Sequence, residues 1–162
     1  MAADNFLKFD GIKGESTDDK HKDWIEVLSF NWGVSQQASA TASSSGGGGV
    51  QRADFQDLSI VKLMDSASPL LMKACAGGDH IDEVTLELCR AGGEKLLYME
   101  YKLSNVIIGS VNIGGGGGGE PTESITLNYG KIQQTYTKQA RKGGGGAGNV
   151  EAGWNLQENK PV

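Results

Sequence analysis

The stretch "DWIEVLSFNWGVSQ", residues 23–36, alternates with a period of two, and this predicts a β-strand. Trp24, Leu28, Phe30, Trp32 and Val34 share one parity, with Glu26 the exception. That aromatic face is expected to be core, with Trp32 almost fully buried. Ile25, Val27, Ser29, Asn31, Gly33 and Ser35 share the other parity, which is apolar at first and small and polar afterwards. The second face is therefore expected to end in a wet surface of small side chains.

Further along, "FQDLSIVKL" resumes strand character. In "DSASPLLMKACAGGD", Ser68 can cap, Pro69 can take the first helical position, and Gly77 and Gly78 stop the run, so a short helix is expected around 68–76. Leu70, Leu71, Ala74 and Cys75 follow helical spacing, which makes Cys75 a core thiol. "EVTLELCRAGGEKLLYMEYKLSNVIIGSVNI" reads as a hairpin turning at "AGGEK". Val84, Leu86 and Leu88 alternate on one arm, and Leu97, Met99, Tyr101 and Leu103 on the return. In "TESITLNYGKIQQTYTKQ" the apolar phase flips at Gly130, from Ile125, Leu127 and Tyr129 to Ile132 and Tyr136, and a β-bulge is expected there. "NVEAGWNLQENK" is a closing strand with Val150, Ala152, Trp154 and Leu156 on one side. Seven or eight strands and one helix predict a single antiparallel barrel or sandwich over 1–162.

Glycine changes this picture locally. There are 25 in 162 residues, concentrated in the runs 46–49, 114–119 and 143–146, all between strands. The polar, low-complexity segment 37–54 reads as an extended loop or hairpin tip. Its only sizeable apolar side chain besides alanines is Val50, so it cannot offset its own ordering entropy.

The formal charge of −5 argues against a nucleic-acid partner. Lys138, Arg141 and Lys142 are the one basic cluster, and they abut glycines in an expected solvated loop. The N-terminal residues have no basic start followed by a long apolar stretch, so no secretory signal is expected. No run approaches the ~20 apolar residues that span a bilayer. Folding in the cytosol is then expected, with Cys75 and Cys89 as thiols.

Candidate chemistry is sparse. Gly114, Gly116 and Gly119 match G-x-G-x-x-G trivially, but the mechanism needs a helix N-terminus next, and a strand sequence follows instead. Cys75, Asp79, His80 and Asp82 lie close in sequence without the ligand spacing of a zinc site. His21 sits in a charged loop with no partner nucleophile, and there is no G-x-S-x-G. The chain reads as a non-enzyme, with no catalytic residue, metal or cofactor.

Several stretches occur together in order: "FLKFDGIKGES", "IEVLSFNWGVSQ", "FQDLSIVKLMD", "SPLLMKACAGG", "TLELCRAGGE", "ESITLNYGKIQQTY" and "GWNLQENK". In this the chain resembles the hemolysin-coregulated protein (Hcp) family, the tube subunits of type VI secretion systems. The resemblance implies a small antiparallel β-barrel of two packed sheets with one helix outside. It implies six-membered rings that stack head-to-tail into a tube, similar to phage tail tubes. It also implies cytoplasmic assembly, then secretion without a signal peptide. The implied partners are further copies of the chain, a trimeric spike protein, the contractile sheath and baseplate, and small effectors in the lumen, with no nucleic acid and no membrane insertion. In that setting Ser29, Asn31, Gly33 and Ser35 are expected to line the lumen. Gln37, Ser43, Ser44, Ser45, Val50, Gln51, Arg52 and Asp54, in the projecting loop 37–54, are expected to make ring and stacking contacts. The competing readings are a monomeric ligand-binding β-barrel and a phage-type tail-tube protein.

Overall fold

A computed structural model describes residues 3–36, 52–92, 95–139 and 146–162. The strands are β1 (Ala3–Phe9), β2 (Ile25–Val27), β3 (Ser29–Asn31), β4 (Val34–Ser35), β5 (Asp54–Phe55), β6 (Leu58–Leu63), β7 (Ile81–Arg90), β8 (Leu97–Gly114), β9 (Thr122–Asn128), β10 (Lys131–Gln139), β11 (Gly146–Asn155) and β12 (Lys160–Pro161). One helix, α1 (Ser68–Gly77), joins β6 to β7.

All pairings are antiparallel. One ladder runs β12-β11-β10-β8-β7-β1-β2, and a second runs from β8 through β9 and β6 to β3. The eighteen-residue β8 serves both, its first half in one ladder and its second half in the other. The sheet does not close into a barrel. β2 and β6 meet through a hydrogen bond from the Leu28 N–H to the Val61 carbonyl at 2.8 Å, without a paired register between them.

Besides α1, which carries the chain from β6 to β7, three extended segments pass from one ladder to the other, and each passage resets the alternation. The chain crosses at Leu28, between β2 and β3; at Ser104 and Asn105, inside β8; and at Gly130, between β9 and β10. In each, the last inward side chain and the next are three residues apart: Val27 then Phe30, Leu103 then Val106, Tyr129 then Ile132. Asn105 takes φ 54°, a left-handed conformation that asparagine tolerates better than most residues. The Gly130 N–H donates to both the Ser104 and Asn105 carbonyls, at 3.0 and 3.2 Å. The phase flip expected at Gly130 is thus present, but as a change of sheet, not a bulge within one strand.

The first crossing corrects the assignment of faces around Trp24 to Val34. Ile25 and Val27 are buried, Leu28 and Val34 are exposed, and Trp32 is half-buried. The alternation of residues 23–36 belongs to three short strands in three different pairings, so one parity cannot hold throughout.

The core is built from rows of facing side chains. Leu7, Leu86 and Tyr101 lie in one row, and Phe9, Val84, Leu103, Ile132 and Trp154 in the next. Opposite them stand Phe30, Ile60, Ile125 and Val111. Phe30 and Trp32 approach Tyr101 at 6.3 and 5.9 Å between ring centroids, and Phe55 stacks near Trp154 at 6.4 Å. Aromatic rings thus fill the space between the ladders at the end where the small hairpin β4–β5 projects.

Helix α1 packs on β8 through Leu71 and Ala74, both buried, and ends in Gly78 at φ 63° with its N–H on the Cys75 carbonyl. Its start differs from expectation. Ala67 is the N-cap and has no side-chain cap bond, and the Ser68 hydroxyl is engaged elsewhere. Cys75 is half-buried against the core and not fully enclosed, and Cys89 is fully buried. Burial pushes the Cys89 thiol up to about 11, so it stays protonated and unreactive near neutrality. The six-glycine run begins at the last residue of β8, Gly114, which pairs with Thr122, and its other five glycines lie in the connection of the β8–β9 hairpin.

Candidate functional site

The two ladders turn contrasting outer faces to solvent. On the face of β3, β6, β9 and the second half of β8, the register aligns Asn31, Ser59, Thr126 and Ser110 in one row. Ser29, Val61, Ser124 and Asn112 form the next. The Ser110 and Thr126 hydroxyls lie 2.7 Å apart, and Asn128 donates to Asp57 at 3.2 Å. These two rows carry no charge and one aliphatic side chain, Val61. Alternation explains them: the interleaved positions Phe30, Ile60, Ile125 and Val111 face the core, so the short polar positions must face out.

Of the four residues assigned to a lumen from sequence, Ser29 and Asn31 lie on this face and are exposed. Ser35 is exposed on the separate β4–β5 pair, and Gly33 just precedes it, half-buried against the Gln56 side chain. Sequence reading missed Ser59, Ser110, Asn112, Ser124 and Thr126, because each looked like an ordinary polar position until the register set them side by side.

Of the loop residues assigned to ring and stacking contacts, Gln37, Ser43, Ser44, Ser45, Val50 and Gln51 lie outside the described residues. Arg52 and Asp54 are described and exposed, and Arg52 donates to the Leu156 carbonyl. The described residues on either side of that segment pair as β4 and β5, with Val34 facing Phe55 and Ser35 facing Asp54.

The outer face of the other ladder is charged. Lys8, Thr85, Lys102 and Gln133 form one row. Phe6, Glu87, Glu100, Thr135 and Glu151 form the next, with two carboxylates directly opposed at Glu87 and Glu100. Burial, with Glu87 adding to it against Lys102, holds the Glu100 carboxyl above its usual range.

The loop before β2 folds over part of this face. His21 is buried, stacked on Phe6 at 4.1 Å, with Nδ1 at 2.7 Å from Asp18 and Nε2 at 3.1 Å from Glu87. Lys95 reaches Asp18 at 2.8 Å and Asp4 at 3.2 Å. The hydrogen bonds from Lys95 and then His21 hold the Asp18 carboxyl down at about 2. A depressed carboxylate stabilises the fold above its ordinary value of 3.8 and loses that contribution as pH falls toward 2. Asp18→Asn should therefore be less stable than the parent at pH 5, with the gap closing between pH 4 and 2. Urea midpoints across that range test this, and a gap constant from pH 6 to 2 would contradict it.

Around the metal candidate, Cys75 is half-buried in α1, while Asp79, His80 and Asp82 are exposed beyond its end. Among the described residues no group of three or more histidines, cysteines or carboxylates is arranged to hold a metal. No helix among them is long and apolar enough to cross a membrane.

A buried polar cluster also escaped the sequence reading. Lys62 on β6 faces Glu123 on β9, both fully enclosed, with Lys62 Nζ 3.2 Å from Glu123 Oε2. Nζ also reaches Asp65 Oδ1 at 2.9 Å, the Leu63 carbonyl at 3.0 Å and Ser68 Oγ at 3.2 Å. Ser68 Oγ donates to Glu123 Oε2 at 2.5 Å, which explains why that hydroxyl does not cap the helix. The cluster ties the start of α1 to the β6–β9 pair.

Comparison with known proteins agrees with this geometry. Residues 6–136 match the family model described as "Type VI secretion system effector, Hcp". The chain is 40% identical over 161 residues to Protein hcp1 of Pseudomonas aeruginosa, covering 98% of both chains. A solved structure described as "Structure of a type six secretion system protein" superimposes with a TM-score of 0.93 at 35% identity, covering 99% of this chain and 100% of the other. Hcp1 from Salmonella typhimurium does so with 0.80 at 35% identity, each chain fully covered. A mostly β chain with one short helix, two uncharged polar rows on an outer sheet face and this similarity over its whole length belongs to the Hcp family of type VI secretion.

Proposed function

We propose that this chain is the structural subunit of a type VI secretion inner tube. Six copies form a ring, rings stack into a tube, and sheath contraction drives the tube out of the cell with effectors carried in its lumen. The subunit assembles in the cytoplasm and meets the trimeric spike, the sheath and the baseplate there. The observation that carries this reading, beside the family, is the pair of uncharged rows that holds Ser29, Asn31, Ser59, Ser110, Ser124 and Thr126. A wall that passes varied cargo should be wet and only weakly adhesive. Short hydroxyl and amide side chains meet both conditions, and the charged face of the other ladder does not. Gly33, Ser35 and the projecting segment 37–54 extend the same subunit toward neighbouring copies.

Light scattering coupled to size-exclusion chromatography tests the ring. Six copies of the 17.1 kDa chain amount to about 103 kDa, and a stable monomer would refute the proposal. End-on rings in electron micrographs are expected from the same sample. Asn31→Arg should leave the ring intact and lower the amount of effector that co-purifies with it. Retention of effector at the parental ratio would remove Asn31 from the lumen.

A further inference from the structure

The two ends of the β6–β9 pair differ in charge. Where β6 starts and β9 finishes there is an open cleft of about 500 Å³, and Arg52, His80, Asn105, Asn128 and Gln157 supply polar lining. No carboxylate lines it, although the chain carries a formal charge of −5. Asp79 and Asp82 lie near His80 in sequence but are not in the lining, and Asp57 is engaged by Asn128 at 3.2 Å. Arg52 donates to the Leu156 carbonyl, and neither Arg52 nor His80 has an ion pair among the described residues. Each carboxamide carries donors and an acceptor, so the cleft suits a segment with bare peptide groups and a negative charge.

Such a segment lies at the other end of the same strands, roughly 20 Å away along β9. There the β8–β9 connection leaves the last pair, Gly114 and Thr122. Residues 115–120 are exposed, and a side chain begun at Gly116, Gly117, Gly118 or Gly119 would meet no other part of the subunit within 4 Å. The tip thus stands clear of its own subunit as bare backbone. Glu120 closes it and, with Glu26, lines a depression that holds no basic side chain. Neither glutamate forms an ion pair among the described residues.

We infer that the Arg52–His80 cleft of one copy takes the β8–β9 glycine tip of another. Glu120 meets the Arg52 guanidinium, and the peptide groups of the tip meet Asn105, Asn128 and Gln157. A tip without side chains enters a cleft that a bulkier loop would not. Different surfaces meet, so the contact is heterologous. Because they sit at opposite ends of the same strands, each contact sets the next copy further along those strands, and the contact propagates as a head-to-tail stack. This rests on the self-assembly reading above and gives the glycine run and the unpaired Arg52 a place in it.

The test is a cross-link between copies. G118C/N128C carries one thiol on the tip and one in the cleft, at opposite ends of the strands, so a short bismaleimide can join them only between two copies. Cys75 is half-buried, and the single variants G118C and N128C measure the background. A denaturing gel should show a ladder that runs past six copies. Adding R52E should lower the yield at least about fivefold, and adding R52E with E120R should restore it to within about twofold, because the charges are then exchanged. Arg52 and Glu120 are exposed, so circular dichroism should be unchanged. Should R52E misfold, R52Q takes its place, with loss of the salt dependence of cross-linking as the readout. A ladder no stronger than that of the single variants, or one that R52E leaves unchanged, overturns the inference. A ladder that stops at six copies overturns the stack and puts the contact inside the ring. In each of these cases a parent of six copies by light scattering leaves the ring reading standing, whereas a monomeric parent refutes the ring reading itself.

Discussion

Lys62→Met should destabilise the protein by about 3–5 kcal/mol, because it leaves the Glu123 carboxylate enclosed without its counter-charge. The methionine fills nearly the volume of the lysine stem, so the effect is electrostatic and not a cavity. Glu123 would keep the Ser68 hydroxyl at 2.5 Å on one oxygen, while its other oxygen, Oε1, already has no hydrogen-bond partner. The cluster holds a charge pair at 3.2 Å and a lysine facing four acceptors with three N–H groups. Removing both charges should behave differently. Lys62→Met combined with Glu123→Leu should recover most of the loss, since buried ion pairs replaced by apolar side chains of similar volume are commonly neutral or better. Urea denaturation at one fixed protein concentration measures both, which keeps any contribution of assembly constant. A single variant within about 0.5 kcal/mol of the parent would show that water reaches Glu123 and that the pair is not the tie between α1 and the sheet.

Both halves of this pair were visible in the alternation and were still missed. Leu58, Ile60 and Lys62 share one parity, as do Glu123, Ile125 and Leu127. Reading polar residues as outward places Lys62 and Glu123 on the wrong side of strands whose parity was otherwise right. Only the pairing of β6 with β9, sixty residues apart in the chain, brings the two charges into contact.

The same limit explains the misplaced face of residues 23–36. Period two identifies a strand but not which ladder it joins, and a chain that changes ladder shifts its inward parity. A glycine marked the crossing at Gly130, and the flip was readable there. At Leu28 the crossing residue is a large apolar side chain, and at Asn105 it lies inside a run that reads as continuous. By contrast the helix and the hairpin from 81 to 114 were legible, because their signals are local: proline and glycine in the right order, and turn residues between alternating arms. The polar sheet face was half legible. Ser29 and Asn31 stood out beside aromatic neighbours, but its breadth depends on three long-range registers.

Trp32→Ala should cost about 2–4 kcal/mol, below the range for a fully enclosed tryptophan because the indole is half-buried. Three contacts are lost together. Trp32 Nε1 donates to the Tyr129 hydroxyl at 2.5 Å, and that hydroxyl donates in turn to the Gln56 carbonyl at 2.7 Å. The indole also lies 5.9 Å from Tyr101 and 6.4 Å from Phe55 between centroids. It therefore joins the end of β9, the segment before β6 and the β4–β5 pair in one place. Burial pushes the Tyr129 phenol up to about 12, so it remains a neutral donor throughout the working range, and this part of the loss should not vary between pH 6 and 9. For a chain of this length the melting temperature should fall by roughly 5–15 °C. Trp32→Phe separates the contributions: it keeps most of the ring packing, loses the N–H bond, and should cost about 1–2 kcal/mol. An alanine variant that melts within 2 °C of the parent, as in an ordinary surface substitution, would mean that Phe55 and Tyr101 hold the β4–β5 pair without the indole.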